Sequence, residues 1–204
     1  TVCRWRCPYC QLGDWPFDEH RPWPAAAEIL AQCASALERQ RERPLVLTVA
    51  GGGEPSDHPD FAPLSAALRQ LADRHGVRLL LLTNADGCVE DDGRRAALQQ
   101  YHQYQVKWDP SPRGGSWRPG RLDTAHRLAR LAGLPGLRLQ TLLYDDGRGG
   151  NHGQEALAAY CAEVQALRPE AIHLGTIDRQ PRLPHLQPLA PAALAEVATA
   201  IRTA

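Results

Sequence analysis

Apolar residues along the chain recur at two alternating periods. Residues 45–50 (LVLTVA) form a short, β-rich apolar run that ends in Gly51, Gly52 and Gly53. Phe61, Leu64, Leu68 and Leu71 keep helical spacing over residues 61–75, and Gly76 closes the pattern. Residues 77–83 (VRLLLLT) predict a second strand, and the turn residues 84–87 follow it. A weaker helical pattern covers residues 91–101, and a strand pattern covers 106–109. Residues 122–132 predict a helix and residues 137–144 a strand. Asn151 and Gln154 have the spacing of a capping box, which predicts a helix from there to about Leu167. Residues 171–176 predict a fifth strand, and residues 190–202 a last helix.

These strands read as continuous apolar runs, the pattern of a sheet buried on both faces. Strands alternating with helices predict βαβ units, hence an α/β fold with a parallel sheet and right-handed crossovers. No internal repeat, low-complexity tract or long linker divides the 204 residues, so one domain is expected over 1–204. The longest irregular stretch is 109–120, rich in Pro, Gly and Ser. A loop of that kind after a strand belongs with an active site.

Composition narrows the function classes. Lys and Arg number 23, as do Asp and Glu, so the net charge of zero excludes a general polybasic grip on nucleic acid. The longest apolar stretch, around residues 79–82, is far shorter than the roughly 20 residues that span a bilayer. No charged-then-apolar leader opens the sequence, which predicts a cytoplasmic chain without a membrane partner. Methionine is absent even at position 1, which predicts a true N-terminus upstream.

Of six cysteines, Cys3, Cys7 and Cys10 crowd one end, whereas Cys33, Cys88 and Cys161 stand alone. Secreted disulfide scaffolds spread their cysteines, so this is metal-ligand spacing in a reducing compartment. Three thiolates can hold a corner of an iron–sulfur cube and leave one iron for a non-protein ligand. Two other readings remain open. One is a zinc-binding structural module with three Cys and one His, for which His20 is the nearest histidine. The other is an electron-transfer iron–sulfur protein, which needs a fourth protein ligand.

Cys3-Arg4-Trp5-Arg6-Cys7-Pro8-Tyr9-Cys10, with Tyr9 just before the last cysteine, resembles the signature loop of the radical S-adenosylmethionine (SAM) enzymes. The continuation Gln11-Leu12-Gly13 resembles the branch related to archaeal wybutosine (tRNA imidazoguanosine) synthetases. Further similar segments follow in order: 51–55 with His58-Pro59, Thr83-Asn84, 107–109, Gln140-Thr141, Gly150-Asn151 and 176–179. The resemblance implies a partial (β/α)6-type barrel whose cysteine loop follows strand one, so that strand would lie outside this chain and expose a sheet edge. It implies a [4Fe–4S] cluster on Cys3, Cys7 and Cys10, with SAM on the fourth iron and a reductant such as flavodoxin or ferredoxin. It implies SAM contacts from Gly52, Gly53 and Glu54, and cofactor contacts from Tyr9, Asn84, Gln140 and Asp178. The implied substrate is a nucleoside or tRNA, although a small metabolite or peptide suits a chain without a basic face or flavodoxin-like domain.

Each of these residues also has a plainer reading. Lys107 and Asp109 lie two apart on a strand and so share a face, with Trp108 opposite. They are candidate catalytic residues or a structural ion pair. Asn84, Gln140 and Thr176 are placed at strand ends, where each can simply cap a helix. Asp178 and Arg179 either bind a polar substrate or pair with each other. Cys33 and Cys161 fall in helical patterns as small packing residues, and Cys88 follows a turn. Arg4 and Arg6 around Trp5, and Arg113, Arg118 and Arg121 around Trp117, combine charge with an aromatic as base-stacking sites do. They also fit solvated loops.

Overall fold

A computed structural model describes residues 3–14, 18, 20–40, 46–111 and 123–204. The described residues hold five strands: β1 (Val46–Val49), β2 (Arg78–Thr83), β3 (Gln103–Lys107), β4 (Leu137–Leu143) and β5 (Ala171–Thr176). They also hold seven α-helices: α1 (Ala26–Arg39), α2 (Phe61–Arg74), α3 (Asp86–Glu90), α4 (Asp92–Ala97), α5 (Thr124–Leu131), α6 (Gln154–Leu167) and α7 (Pro191–Thr203). Leu45, Leu122 and the arginines around Trp117 lie outside the described residues, as does most of the 109–120 loop.

All strands pair in parallel, in the order β1-β2-β3-β4-β5. That order distinguishes the sheet from a doubly wound one. Each crossover steps one strand in the same direction, so right-handed connections put every helix on one face. The result is an α/β fold with the order of a partial barrel. β1 is an edge of the described sheet, and Val46 on it is 55% exposed.

One apolar layer fills the space between sheet and helices. Leu79, Leu81, Tyr104, Val106, Leu137 and Leu139 meet Phe61, Leu64 and Leu68 of α2, Leu131 of α5, and Tyr160 and Leu167 of α6 there. Each fully buried leucine contributes roughly 1.5–3 kcal/mol of transfer free energy, which makes this face the main source of cohesion.

The opposite face corrects the expectation of strands buried on both sides. Along β4, Leu137, Leu139, Thr141 and Leu143 are buried, whereas the alternate residues Arg138, Gln140 and Leu142 are half-buried. The parallel register aligns Lys107 with Gln140 and then His173, and Gln105 with Arg138. On β3 and β4 the inner face therefore carries amides and cations, alongside the half-buried Leu80 and Leu82 of β2 and Leu142 of β4. Because β3 alternates polar and apolar residues, it extends over Gln103–Lys107 instead of the predicted 106–109. Its apolar positions, Tyr104 and Val106, alternate with Gln103, Gln105 and Lys107, and Gln105 is buried as well.

Two further elements depart from the sequence pattern. The predicted 84–87 turn contains the start of α3, which follows Ala85 in the left-handed region at φ 62°. The predicted 91–101 helix shortens to α4 and a 3-10 turn, Leu98–Gln100. Asn151 does not form a capping box, since α6 begins after Gly153 without a side-chain cap. Asn151 is instead buried, accepting from the Tyr144 N–H at 2.9 Å and donating to the Leu142 carbonyl at 2.8 Å. These bonds satisfy the frayed end of β4, a stronger demand than an exposed helix start.

Candidate functional site

The loops after the strands converge at the C-terminal edge of the sheet, the usual place for ligands in parallel α/β folds. The cysteine loop lies across this edge. Its core is a β-turn from Cys7 to Cys10, closed by the Cys10 N–H donating to the Cys7 carbonyl at 3.0 Å. Pro8 takes the second position, where its fixed φ suits the turn. The segment after β5 holds the loop from the other side, through the Leu183 N–H donating to the Pro8 carbonyl at 2.9 Å.

Two aromatic side chains between the cysteines anchor the loop on the sheet. Trp5 is 4% exposed and donates its indole N–H to Asp86 at 2.7 Å. The Arg127 guanidinium sits 4.8 Å from the Trp5 ring centre and 4.6 Å from that of Trp108. Arg127 also pairs with Asp86 at 3.1 Å and donates to the Asn84 carbonyl at 2.6 Å. Trp5 is thus buried against the fold, which overturns its reading as a base-stacking residue. Arg4 beside it is exposed.

Tyr9 makes the second anchor, donating its hydroxyl to Asp109 at 2.5 Å. Asp109 is fully buried, accepts from the Leu142 N–H at 2.8 Å and pairs with Lys107 at 3.3 Å. The Lys107 ammonium lies 4.8 Å from the Tyr9 ring centre. Trp108 points to the helical side, where it donates to Glu163 of α6 at 2.6 Å. The alternation expected for residues 107–109 is therefore present, although Asp109 lies past the end of β3.

All six cysteines are free thiols. Cys7 is buried and Cys3 half-buried, and burial pushes both thiols up to about 12. The charge of Asp109 adds to the rise at Cys7, and Lys107 opposes it. Cys10 is near enough to both for its charge to raise them further. Among the described residues, no three His, Cys, Asp or Glu side chains group as ligands of a single ion. A zinc ion draws its thiolates to one point at about 2.3 Å, whereas a cube takes one thiolate on each of three irons. The donor set of three thiols on one loop, none of them in a disulfide, fits the second arrangement in kind.

The Gly51–Pro55 segment flanks Cys3. Among the described residues, a Cβ built on Gly51 or Gly52 would meet nothing within 4 Å, and neither glycine has a positive φ. Neither described packing nor backbone conformation demands glycine here. Glu54 turns inward and is 4% exposed. Its carboxylate accepts from the Ser56 N–H at 2.9 Å, the Asn84 N–H at 2.7 Å and the Thr83 hydroxyl. It staples the loop after β1 to the end of β2. Burial raises its pKa to about 7, against the lowering effect of these donors.

Asn84 follows β2, accepting from the Asp86 N–H at 2.9 Å and directing its amide N–H toward the Cys3 sulfur at 3.9 Å. Gln140 lies in the middle of β4 rather than at its end, on the inner face beside Lys107. Thr176 ends β5 but caps no helix; it donates to the Leu143 carbonyl at 2.9 Å and accepts from the Leu189 N–H. Asp178 and Arg179 are exposed. Cys33 lies on α1 and Cys161 on α6, while Cys88 is buried within α3. The structure therefore gathers Cys3, Cys7, Cys10, Tyr9, Asn84, Lys107 and Asp109 at one edge. Sequence reasoning missed Asp86 and Arg127, which lie in different elements and carry no shared spacing. Among the described residues, no helix is long and apolar enough to cross a membrane. No protein-family model and no curated protein matches the chain.

Proposed function

We propose that the chain is a radical SAM enzyme, built on a partial radical SAM barrel. The observation that carries this reading is the docking of three thiols outside any disulfide at the C-terminal edge of a parallel sheet, with Cys3 near Glu54 and Asn84, the residues that join the glycine segment to the end of β2. Cys3, Cys7 and Cys10 would hold three irons of a [4Fe–4S] cluster, and Gly52 and Gly53 let a ligand approach the backbone closely. When bound, the cluster and SAM supply one-electron cleavage of the sulfonium and a 5′-deoxyadenosyl radical that takes a hydrogen atom from substrate.

The remaining roles belong to the chain's own side chains. Glu54 holds the glycine loop in place rather than reaching outward. Asn84 orients Cys3. Gln140 and Lys107 face the inner surface, where half-buried amides and cations suit a polar substrate such as a nucleoside, a tRNA base or a small metabolite. Asp178 is an exposed contact at the edge. Tyr9 and Asp109 close the floor of the site against water. Free thiols throughout suit a reducing cytoplasm, with flavodoxin or ferredoxin as the class of reductant.

Anaerobic reconstitution with iron and sulfide, then reduction in the presence of SAM, tests the proposal. A brown chromophore with 5′-deoxyadenosine formation is expected. A chain that binds one zinc and no iron is a structural module. A cluster that ignores SAM belongs to an electron carrier, and either result overturns the reading.

A further inference from the structure

We propose that Lys107, Asp109 and Tyr9 form a latch that holds the cysteine loop closed on the sheet before any metal is bound. In this role Asp109 is a positioning residue that acts on Cys7 through Tyr9. The inference does not rest on the chemistry proposed above, because every contact in it belongs to the chain itself.

Three observations carry it. Asp109 is fully buried and its two oxygens are engaged by the Tyr9 hydroxyl, the Leu142 N–H and the Lys107 ammonium. A carboxylate so engaged is committed to contacts within the chain. Its buried charge is compensated in place by Lys107, which also lies over the Tyr9 ring. Tyr9 is the neighbour of Cys10 and two residues from Cys7, so releasing its hydroxyl removes one of the ties on the β-turn that carries both thiols, another being the Leu183 N–H on the Pro8 carbonyl. Loop segments of this kind open at lower cost than the whole domain.

The test is native-state thiol labelling of the full, reduced, metal-free chain with iodoacetamide, read peptide by peptide by mass spectrometry. Cys7 reports opening of the loop, and Cys88 in the helical layer reports unfolding of the domain. In the parent chain Cys7 is expected to label faster than Cys88 and with a shallower urea dependence, since a local opening exposes less surface. Tyr9→Phe removes a hydrogen bond to a charged acceptor, so Cys7 labelling should rise about tenfold or more. Asp109→Asn should act similarly. The double variant should exceed the larger single effect by little, because both changes break one unit.

Tyr101→Phe is the control. It removes a phenol that bonds Ser65 at 2.9 Å on the helical side. It should quicken Cys88 labelling and leave Cys7 unchanged, because the loop-open state keeps that bond. Three results overturn the latch: Cys7 labelling unmoved by Tyr9→Phe, additive effects of Tyr9→Phe and Asp109→Asn, or Cys7 tracking Cys88 in the Tyr101→Phe chain. The readout needs no cluster, so loss of activity alone neither supports nor removes it.

Discussion

The indole N–H of Trp5 donates to the carboxylate of Asp86 at 2.7 Å, across 81 positions of sequence. The bond ties the cysteine loop to α3, and Arg127 reinforces it by pairing with the same carboxylate while lying between two indoles. Because Arg127 is 1% exposed, its charge is stable there only with these partners.

Arg127→Leu is expected to lower the unfolding free energy by about 3–5 kcal/mol, since Asp86 keeps a partly buried charge without its ion-pair partner. Arg127→Leu combined with Asp86→Leu should regain part of that loss. Urea titration of the three chains checks this; equal midpoints would contradict the role of the sandwich.

Two glycines should respond oppositely to alanine. Gly150 has φ 53°, and a Cβ there would meet the Tyr144 carbonyl oxygen at 1.9 Å. Gly150→Ala should cost more than about 2 kcal/mol, combining left-handed strain with displacement of the β4 end. Gly52→Ala meets nothing within 4 Å among the described residues, so its stability should stay within about 0.5 kcal/mol of the parent, while the proposed function expects SAM affinity to fall. Thermal unfolding and calorimetric titration with SAM separate the two effects.

Glu54 makes stability depend on pH. Its pKa is raised from 4.5 to about 7, so folding favours the neutral form. That contribution is fully present below pH 4.5 and is lost as pH rises through about 7. The shift corresponds to roughly 3 kcal/mol across that window. In the metal-free chain, Glu54→Gln should flatten the dependence of unfolding free energy on pH between about 4.5 and 7. A slope identical to that of the parent would refute this.

The three loop cysteines should differ from the helical ones in iron binding. Cys3→Ala, Cys7→Ala and Cys10→Ala should each lose most of the iron taken up on anaerobic reconstitution. Cys33→Ala and Cys161→Ala should retain it, because those residues lie on α1 and α6. An equal fall in all five iron-to-protein ratios argues against a three-cysteine site.

Hydrophobic period located β1, β2, β4 and β5, part of β3, the helices α2, α5 and α7, and the parallel α/β class. Leu64 and Leu68, or Leu79 and Leu81, need only a buried face, and local spacing states that need directly. The thiol loop was legible for the same reason, since ligand spacing is a short-range property. α1 was also within reach, through Ile29, Leu30, Cys33 and Leu37, but was not delimited from the pattern.

Tertiary structure decided what depends on residues far apart. The sequence shows Lys107 and Asp109 on one strand face, but not that Tyr9 completes their hydrogen bonding. It shows Glu54 beside three glycines, but not that its carboxylate turns inward to Thr83 and Asn84. It lets Trp5 be read as an exposed aromatic, whereas Asp86 and Arg127 bury it. Buried polar groups must find partners, and nothing local specifies which distant residue supplies them. The polar positions of the inner face follow the same logic. Gln105, Arg138 and Gln140 look like interruptions in apolar runs until the helices cover one side of the sheet and leave the other outside that apolar layer.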